Sequence, residues 1–141
     1  MSVVVTYSDT VRVVQAWLAT TSVAPLVQLP SGPPAIYIAM PLSNPDKAVT
    51  LRLIAGRPDS RKDLPQQTDR VQFDCWAMTH DDASAIKLAL VSELESLARL
   101  GGFVAGLTYI GSAVVVSQRW LPDKDSDRPR YIVDALITTV T

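Results

Sequence analysis

Apolar and polar residues alternate along the stretch from Asp69 to Met78, DRVQFDCWAM. This period of two is that of a β-strand with one buried face, and the apolar set is Val71, Phe73, Cys75 and Ala77. From Thr79 to Gly102 the period becomes helical, with apolar residues three or four positions apart: Ala83, Ile86, Leu90, Leu94 and Leu97. The pattern predicts a central strand followed by a long amphipathic helix.

The ends of this helix are also marked. Thr79 precedes it as an N-cap whose hydroxyl accepts from the amide of Asp82, with Asp82 reaching back as in a capping box. Gly101 and Gly102 follow it, and glycine ends helices without a Cβ clash.

The N-terminal third predicts one helix and then short extended pieces. Ser8 to Thr20 begins with Ser8 as an N-cap and places apolar residues on one face. Six prolines between residues 23 and 45 exclude a continuous helix there. We expect two extended pieces, Leu26 to Leu29 and Ala35 to Met40, and then a half-buried strand within Lys47 to Gly56 that ends at Gly56.

Arg57 to Thr68, RPDSRKDLPQQT, has no apolar period, two prolines and five charged residues. It is interpreted as a long exposed loop, which is either flexible or becomes ordered against a partner.

The C-terminal part predicts a hairpin. Its strand residues, rich in Val, Ile, Thr and Tyr, lie on both sides of a charged tip, Pro122 to Pro129. Three aspartates alternate in the tip, but the central glycine and closing glutamate of an EF-hand are missing. Lys124, Arg128 and Arg130 balance these acids, so a solvated turn is favoured over a calcium site.

The length favours one domain over residues 1 to 141. The 13 basic and 14 acidic residues nearly cancel, which disfavours a nucleic-acid or anionic-membrane partner. No secretory segment and no apolar run long enough to cross a bilayer is visible. We therefore expect a cytosol-like compartment.

Candidate chemistry is weak. Cys75 is the one cysteine and points inward, and His80 is the one histidine, placed in an exposed first helical turn. Asp74 and Asp134 lie on the sheet face opposite the stronger apolar set, where solvent-facing or interface-facing acids are favoured over a catalytic pair. We expect no enzyme activity, no cofactor and no metal.

Some apolar residues remain once the core is assigned. Leu88 points away from the apolar stripe of the long helix. The second sheet face holds Trp76 and either Ile132 and Leu136 or the set Tyr131, Val133 and Ile137. Because one or two helices cover only one face, identical subunits are expected to cover the other.

The chain as a whole resembles the small tail terminator, or tail completion, proteins of long-tailed bacteriophages. The resemblance rests on an N-terminal helix with Trp17, a proline-flanked PPAIYI strand, a polar loop, the VQFDCWA strand, the helix beginning HDDASAIKLAL and a closing RYIVDALIT strand. It extends roughly from Tyr7 to Val140.

This resemblance implies an α+β fold, with a mixed or antiparallel sheet and two main helices packed on one face. It also implies a structural protein of the virion, assembled in the host cytoplasm. It implies a homo-hexameric ring that caps the tail tube, stops addition of the major tail tube protein and offers a surface to head-tail connector proteins. The candidate tube or subunit contacts are Arg57, Arg61, Lys62, Trp76, Leu88, Lys124 and Arg128. Another phage neck or connector subunit, or a small ligand-binding α+β domain, stays an alternative.

Overall fold

The computed structural model describes residues 9–60, 65–100, 102–105 and 108–140, without the side chains of residues 55–60, 65 and 100. Its elements follow in chain order: α1 (Thr10–Leu18), α2 (Val23–Leu26), β1 (Ile36–Tyr37), β2 (Ala48–Ser60), β3 (Pro65–Trp76), α3 (His80–Leu100), β4 (Phe103–Ala105), β5 (Thr108–Trp120) and β6 (Arg130–Val140). No helix in the described ranges is long and apolar enough to cross a membrane.

Six strands form one mixed sheet in the order β1-β2-β3-β6-β5-β4. The four long strands, β2, β3, β6 and β5, pair antiparallel, and short β1 runs parallel to β2. α1 and α3 pack on one face of this sheet and enclose the main core. The α+β class predicted from the sequence is confirmed.

The core lies where the sequence pattern places it. The alternating residues Val71, Phe73 and Cys75 of β3 are fully buried. The apolar stripe of α3 packs against them and is buried along its whole length. The central strand and the long helix are thus confirmed in position and in facing.

The helix ends agree in part with expectation. The hydroxyl of Thr79 accepts from the amide of Asp82 at 3.2 Å, while the Asp82 carboxylate lies 3.8 Å from Lys47 Nζ. Asp9, not Ser8, caps α1, since its side chain accepts from the amide of Arg12 at 3.3 Å. Ser8 and Gly101 lie outside the described residues.

The predicted loop from Arg57 to Thr68 is wrong at both of its ends, and residues 61–64 between them lie outside the described residues. β2 continues past Gly56 to Ser60, and β3 begins at Pro65. Arg57 pairs with Thr68, and Ser60 pairs with Pro65. Pro58 is tolerated because β1 pairs with β2 only at Val49 and Thr50, so β2 is an edge strand at Pro58. Pro65 is tolerated because it is the first residue of its strand.

The proline-rich segment also differs from expectation. Val23–Leu26 forms one helical turn, which accommodates Pro25 because the first turn of a helix needs no amide there. Of the second predicted piece, only Ile36–Tyr37 is a strand.

The stretch after α3 forms two strands, β4 and β5, instead of the single one expected. At Gly102 a Cβ would lie 1.7 Å from the carbonyl oxygen of Ile110. The close approach of the two backbones therefore requires glycine.

Candidate interaction surface

The sheet face opposite the helices carries most of the polar side chains of the sheet. We call it the outer face, and its pairing register places on it Thr50, Arg52, Arg70, Gln72, Asp74, Trp76, Val114, Ser117, Arg119, Ile132, Asp134 and Leu136. Asp74 and Asp134 thus lie on the face that the sequence predicted. Of the alternative apolar sets, Ile132 and Leu136 belong to this face.

Asp134 is the centre of the outer face and is only 3% exposed. Its Oδ2 accepts from Arg70 Nη2 at 2.9 Å, from Ser117 Oγ at 3.2 Å and from Arg119 Nη1 at 3.4 Å. Burial alone raises the pKa of Asp134, but the three hydrogen bonds outweigh it, so the pKa lies below its ordinary value. The carboxylate is therefore ionised and shared between β3 and β5.

Two atoms of this cluster have no partner among the described residues, Arg70 Nε and Asp134 Oδ1. They belong to the same ion pair, whose Nη2 and Oδ2 atoms already meet. A guanidinium and a carboxylate favour a two-pronged arrangement of this kind. Because both atoms belong to one ion pair, they give no sign of a missing ligand.

Trp76, a predicted contact residue, is half-buried at one end of the outer face. The guanidinium of Arg130 lies 4.8 Å from its ring centre and that of Arg128 lies 5.5 Å away. Its indole nitrogen donates to the hydroxyl of Thr50 at 3.0 Å. Both its ring and its donor are therefore used within the chain.

The sequence predicts that Arg128 lies in a solvated turn, where it balances acids, and that it is a contact residue. It is 8% exposed and points into the protein. It donates to the Ala77 carbonyl oxygen at 3.3 Å, to the Asp46 carbonyl oxygen at 2.8 Å, to the Pro45 carbonyl oxygen and to the Asn44 side chain. Arg128 thus fastens the segment before β2 to the end of β3, and the solvated placement is corrected.

The other named contacts divide into two groups. Leu88 is 59% exposed on α3, as its position in the helix predicts, and Lys124 is exposed in the β5-β6 turn. Arg57 lies in β2, but its side chain is not among those that the structure describes. Arg61 and Lys62 lie outside the described residues. Their roles as contacts stay predictions.

An aromatic cluster near the start of α3 was missed. The imidazole Nε2 of His80 lies 2.9 Å from the hydroxyl oxygen of Tyr131, and its ring centre is 4.8 Å from that of Trp120. His80 is exposed, as predicted. The three residues come from three elements, and only the adjacent pairing of Trp120 with Tyr131 in a hairpin could have been inferred.

The one cysteine lies on the opposite, helix-covered face of the sheet. Cys75 is fully buried, and burial, with a smaller contribution from Asp74, raises the pKa of its thiol. A buried neutral thiol is not a nucleophile. Within the described ranges, no three His, Cys, Asp or Glu residues are grouped as metal ligands.

No protein-family model matches the sequence, and a search of curated proteins also finds no match. Solved structures with a similar fold do exist. One is a chain in the structure "Virion of native gene transfer agent (GTA) particle", with a TM-score of 0.68 and 16% sequence identity over 95% of this chain and 100% of that chain. At this identity the match shows a shared fold, and that fold extends over nearly all of both chains.

Proposed function

We propose that this protein is a structural component of a phage-like virion. The observation that carries the proposal is the fold shared, over 95% of this chain and all of the other, with a chain of a gene transfer agent virion. The outer face is consistent with it, because Asp74 and Asp134, the two acids of that face, are each held in ion pairs with arginines of the same sheet. The same fold match supports our proposal that the role is structural and not enzymatic.

Within the virion, we assign the protein to the end of the tail, as a tail terminator. The resemblance of the sequence to that family supports the assignment. A hexameric ring would bind the last ring of the major tail tube protein and stop the addition of further tube protein. The other side of the hexameric ring would bind head-tail connector proteins. Assembly would take place in the host cytoplasm.

A second candidate is another ring protein of the neck, between the tail and the head. The same fold match supports this second candidate equally, because the match is to a chain of a virion and does not identify a position within the particle. The two roles differ in what happens when the protein is absent.

The test is to delete the gene for this chain from the genome that directs production of the particle, and to measure tail length by electron microscopy. A terminator predicts tails that exceed the normal length and carry no heads. A neck connector predicts tails of normal length that carry no heads. Complete particles of normal length would refute both roles.

The candidate contacts give a second test of the tail-end role. Exchanging Arg61 and Lys62 for glutamate should weaken capping of purified tubes if these cations pair with acidic groups of the tube. Arg12 in α1 and Arg99 in α3 are exposed cations, and the double variant Arg12→Glu with Arg99→Glu is the matched control. Equal capping by both variants at low salt would remove the cations from the tube contact.

A further inference from the structure

Both long edge strands of the sheet are only partly covered. β1 covers β2 at Val49 and Thr50, and β4 covers β5 at Thr108, Tyr109 and Ile110. In the described part of the chain, no strand pairs with the remaining outward edges, Leu51–Ser60 of β2 and Gly111–Trp120 of β5. Each edge therefore presents unpaired backbone donors and acceptors.

The two free edges lie at the same height along the strands. The ladder connects Leu51 through Phe73 and Val133 to Gln118, at one height. It also connects Arg57 through Thr68 and Thr138 to Ser112, at the other. We call Leu51 to Arg57 the β2 window and Ser112 to Gln118 the β5 window, and each is seven residues long.

The windows also run in opposite directions. Each of the steps β2 to β3, β3 to β6 and β6 to β5 is antiparallel, so three reversals leave β5 antiparallel to β2. A second copy, rotated about an axis parallel to the strands, would bring its β2 window beside the β5 window of the first. The pairing would be antiparallel, which is the more stable kind.

The side chains of the two windows fit this arrangement. Val114 and Val116 are 55% and 47% exposed, and Leu53 and Ile54 are 50% and 43% exposed. The β5 window contains no charged residue and no proline, which are the usual means of protecting an edge strand. Its bulge at Val116 leaves an apolar side chain exposed instead. Each window thus presents apolar surface that the other would cover.

We propose that copies of this chain join edge to edge, the β5 window of one copy pairing with the β2 window of the next to form a continuous sheet. The inference rests on the proposed ring, and it specifies the contact between its subunits. Because the windows lie at one height, a rotation without translation joins them. Such a head-to-tail contact closes into a ring when the rotation divides the circle.

The experiment is sedimentation velocity on the full chain over a range of concentrations. The test variants are Val114→Lys in the β5 window and Ile54→Glu in the β2 window. The ladder places Val114 at the height of Ala55, and Ile54 is the extra residue of the bulge between Leu53 and Ala55. Leu42→Lys is the matched control, since Leu42 is fully exposed outside both windows. Circular dichroism melting shows that each variant is folded.

We expect the wild-type chain and Leu42→Lys to form the same closed oligomer. Each window variant should raise the dissociation constant at least about tenfold, as for a central interface residue. The double variant should recover assembly, because the long side chains of a lysine and a glutamate then lie within reach of each other across the contact. Recovery distinguishes head-to-tail pairing from β5-β5 pairing, in which the glutamate of the β2 window lies outside the contact.

A wild-type chain that remains monomeric at every concentration would overturn this pairing, and so would window variants that assemble like the wild type. A double variant that is no better than Val114→Lys would also overturn it. The tail-length test is independent of these results. Normal tails without the protein, together with an oligomer that the window variants disrupt, would reject the terminator role and keep the pairing.

Discussion

Replacing Arg128 by alanine should destabilise the fold strongly, although the residue lies in a charged turn. Its guanidinium donates to four oxygen atoms, of Asn44, Pro45, Asp46 and Ala77. A hydrogen bond from a charged donor contributes about 1.5–3 kcal/mol. The oxygens of exposed Asn44 and Asp46 would regain water, so only part of the sum is lost. We expect a loss of about 2–4 kcal/mol, dominated by the contact with fully buried Ala77.

The assay is urea denaturation of the monomer, with the free energy of unfolding taken from the midpoint and the slope. The same change should lower the melting temperature by roughly 10 °C for a domain of this size. Arg128→Lys keeps the charge but not the planar fork, so it should recover only part of the loss.

Lys124→Ala is the matched control. Lys124 belongs to the same turn and is exposed, so its removal should change the free energy of unfolding by less than about 0.5 kcal/mol. If Arg128→Ala cost no more than Lys124→Ala, the reasoning that Arg128 fastens the segment before β2 to the core would be refuted.

Three further predictions follow from the fold. Asp134→Asn should destabilise the protein at pH 7; because the folded pKa of Asp134 is lowered, its contribution is present above the unfolded pKa of about 3.9 and is lost as pH falls through the folded pKa. Denaturation at pH 7 and at pH 3 checks this, and an equal loss at both would contradict it. Gly102→Ala should cost about 2 kcal/mol or more, because its Cβ would collide with Ile110; a melting temperature equal to that of the wild type would show that β4 moves away freely. Leu88→Lys should leave the free energy of unfolding within about 0.5 kcal/mol, while particle yield falls if this exposed leucine is a contact; unchanged yield would exclude that role.

The parts of the fold that the sequence predicts are those in which a local period reports burial. Phe73 and its neighbours alternate, and Leu90 and its neighbours repeat helically, because each faces one continuous core. The hairpin of β5 and β6 is predicted for a related reason, since β-branched residues flank a turn of charged residues.

The sequence does not predict the far end of the β2-β3 hairpin, because the residues there show no alternation of apolar and polar side chains. Gln67 and Asp69 are polar yet buried. Gln67 donates to Thr10 at 2.8 Å, and Thr10 donates to Asp69. These partners are almost 60 residues apart in the chain, so no local pattern could indicate that the polar stretch is a strand packed beneath α1.

For the outer face, too, the sequence predicts what a local period reports and misses the contacts between distant residues. The facing of Asp74, Asp134 and Trp76 follows from alternation within one strand. Their partners do not, because Arg70, Arg119 and Arg130 reach them across neighbouring strands. Arg128 is the extreme case, since its acceptors at Pro45 and Asp46 lie more than 80 residues away.

The reactivity of the single cysteine can be used to measure how often the core of this protein opens. Cys75 is fully buried between the sheet and α3, so a thiol reagent reaches it only when that core separates. Its labelling rate in the native protein therefore measures the population of the opened state. Comparing this rate in the monomer and in an assembled particle would show how much assembly suppresses unfolding of each subunit, without adding any probe to the chain.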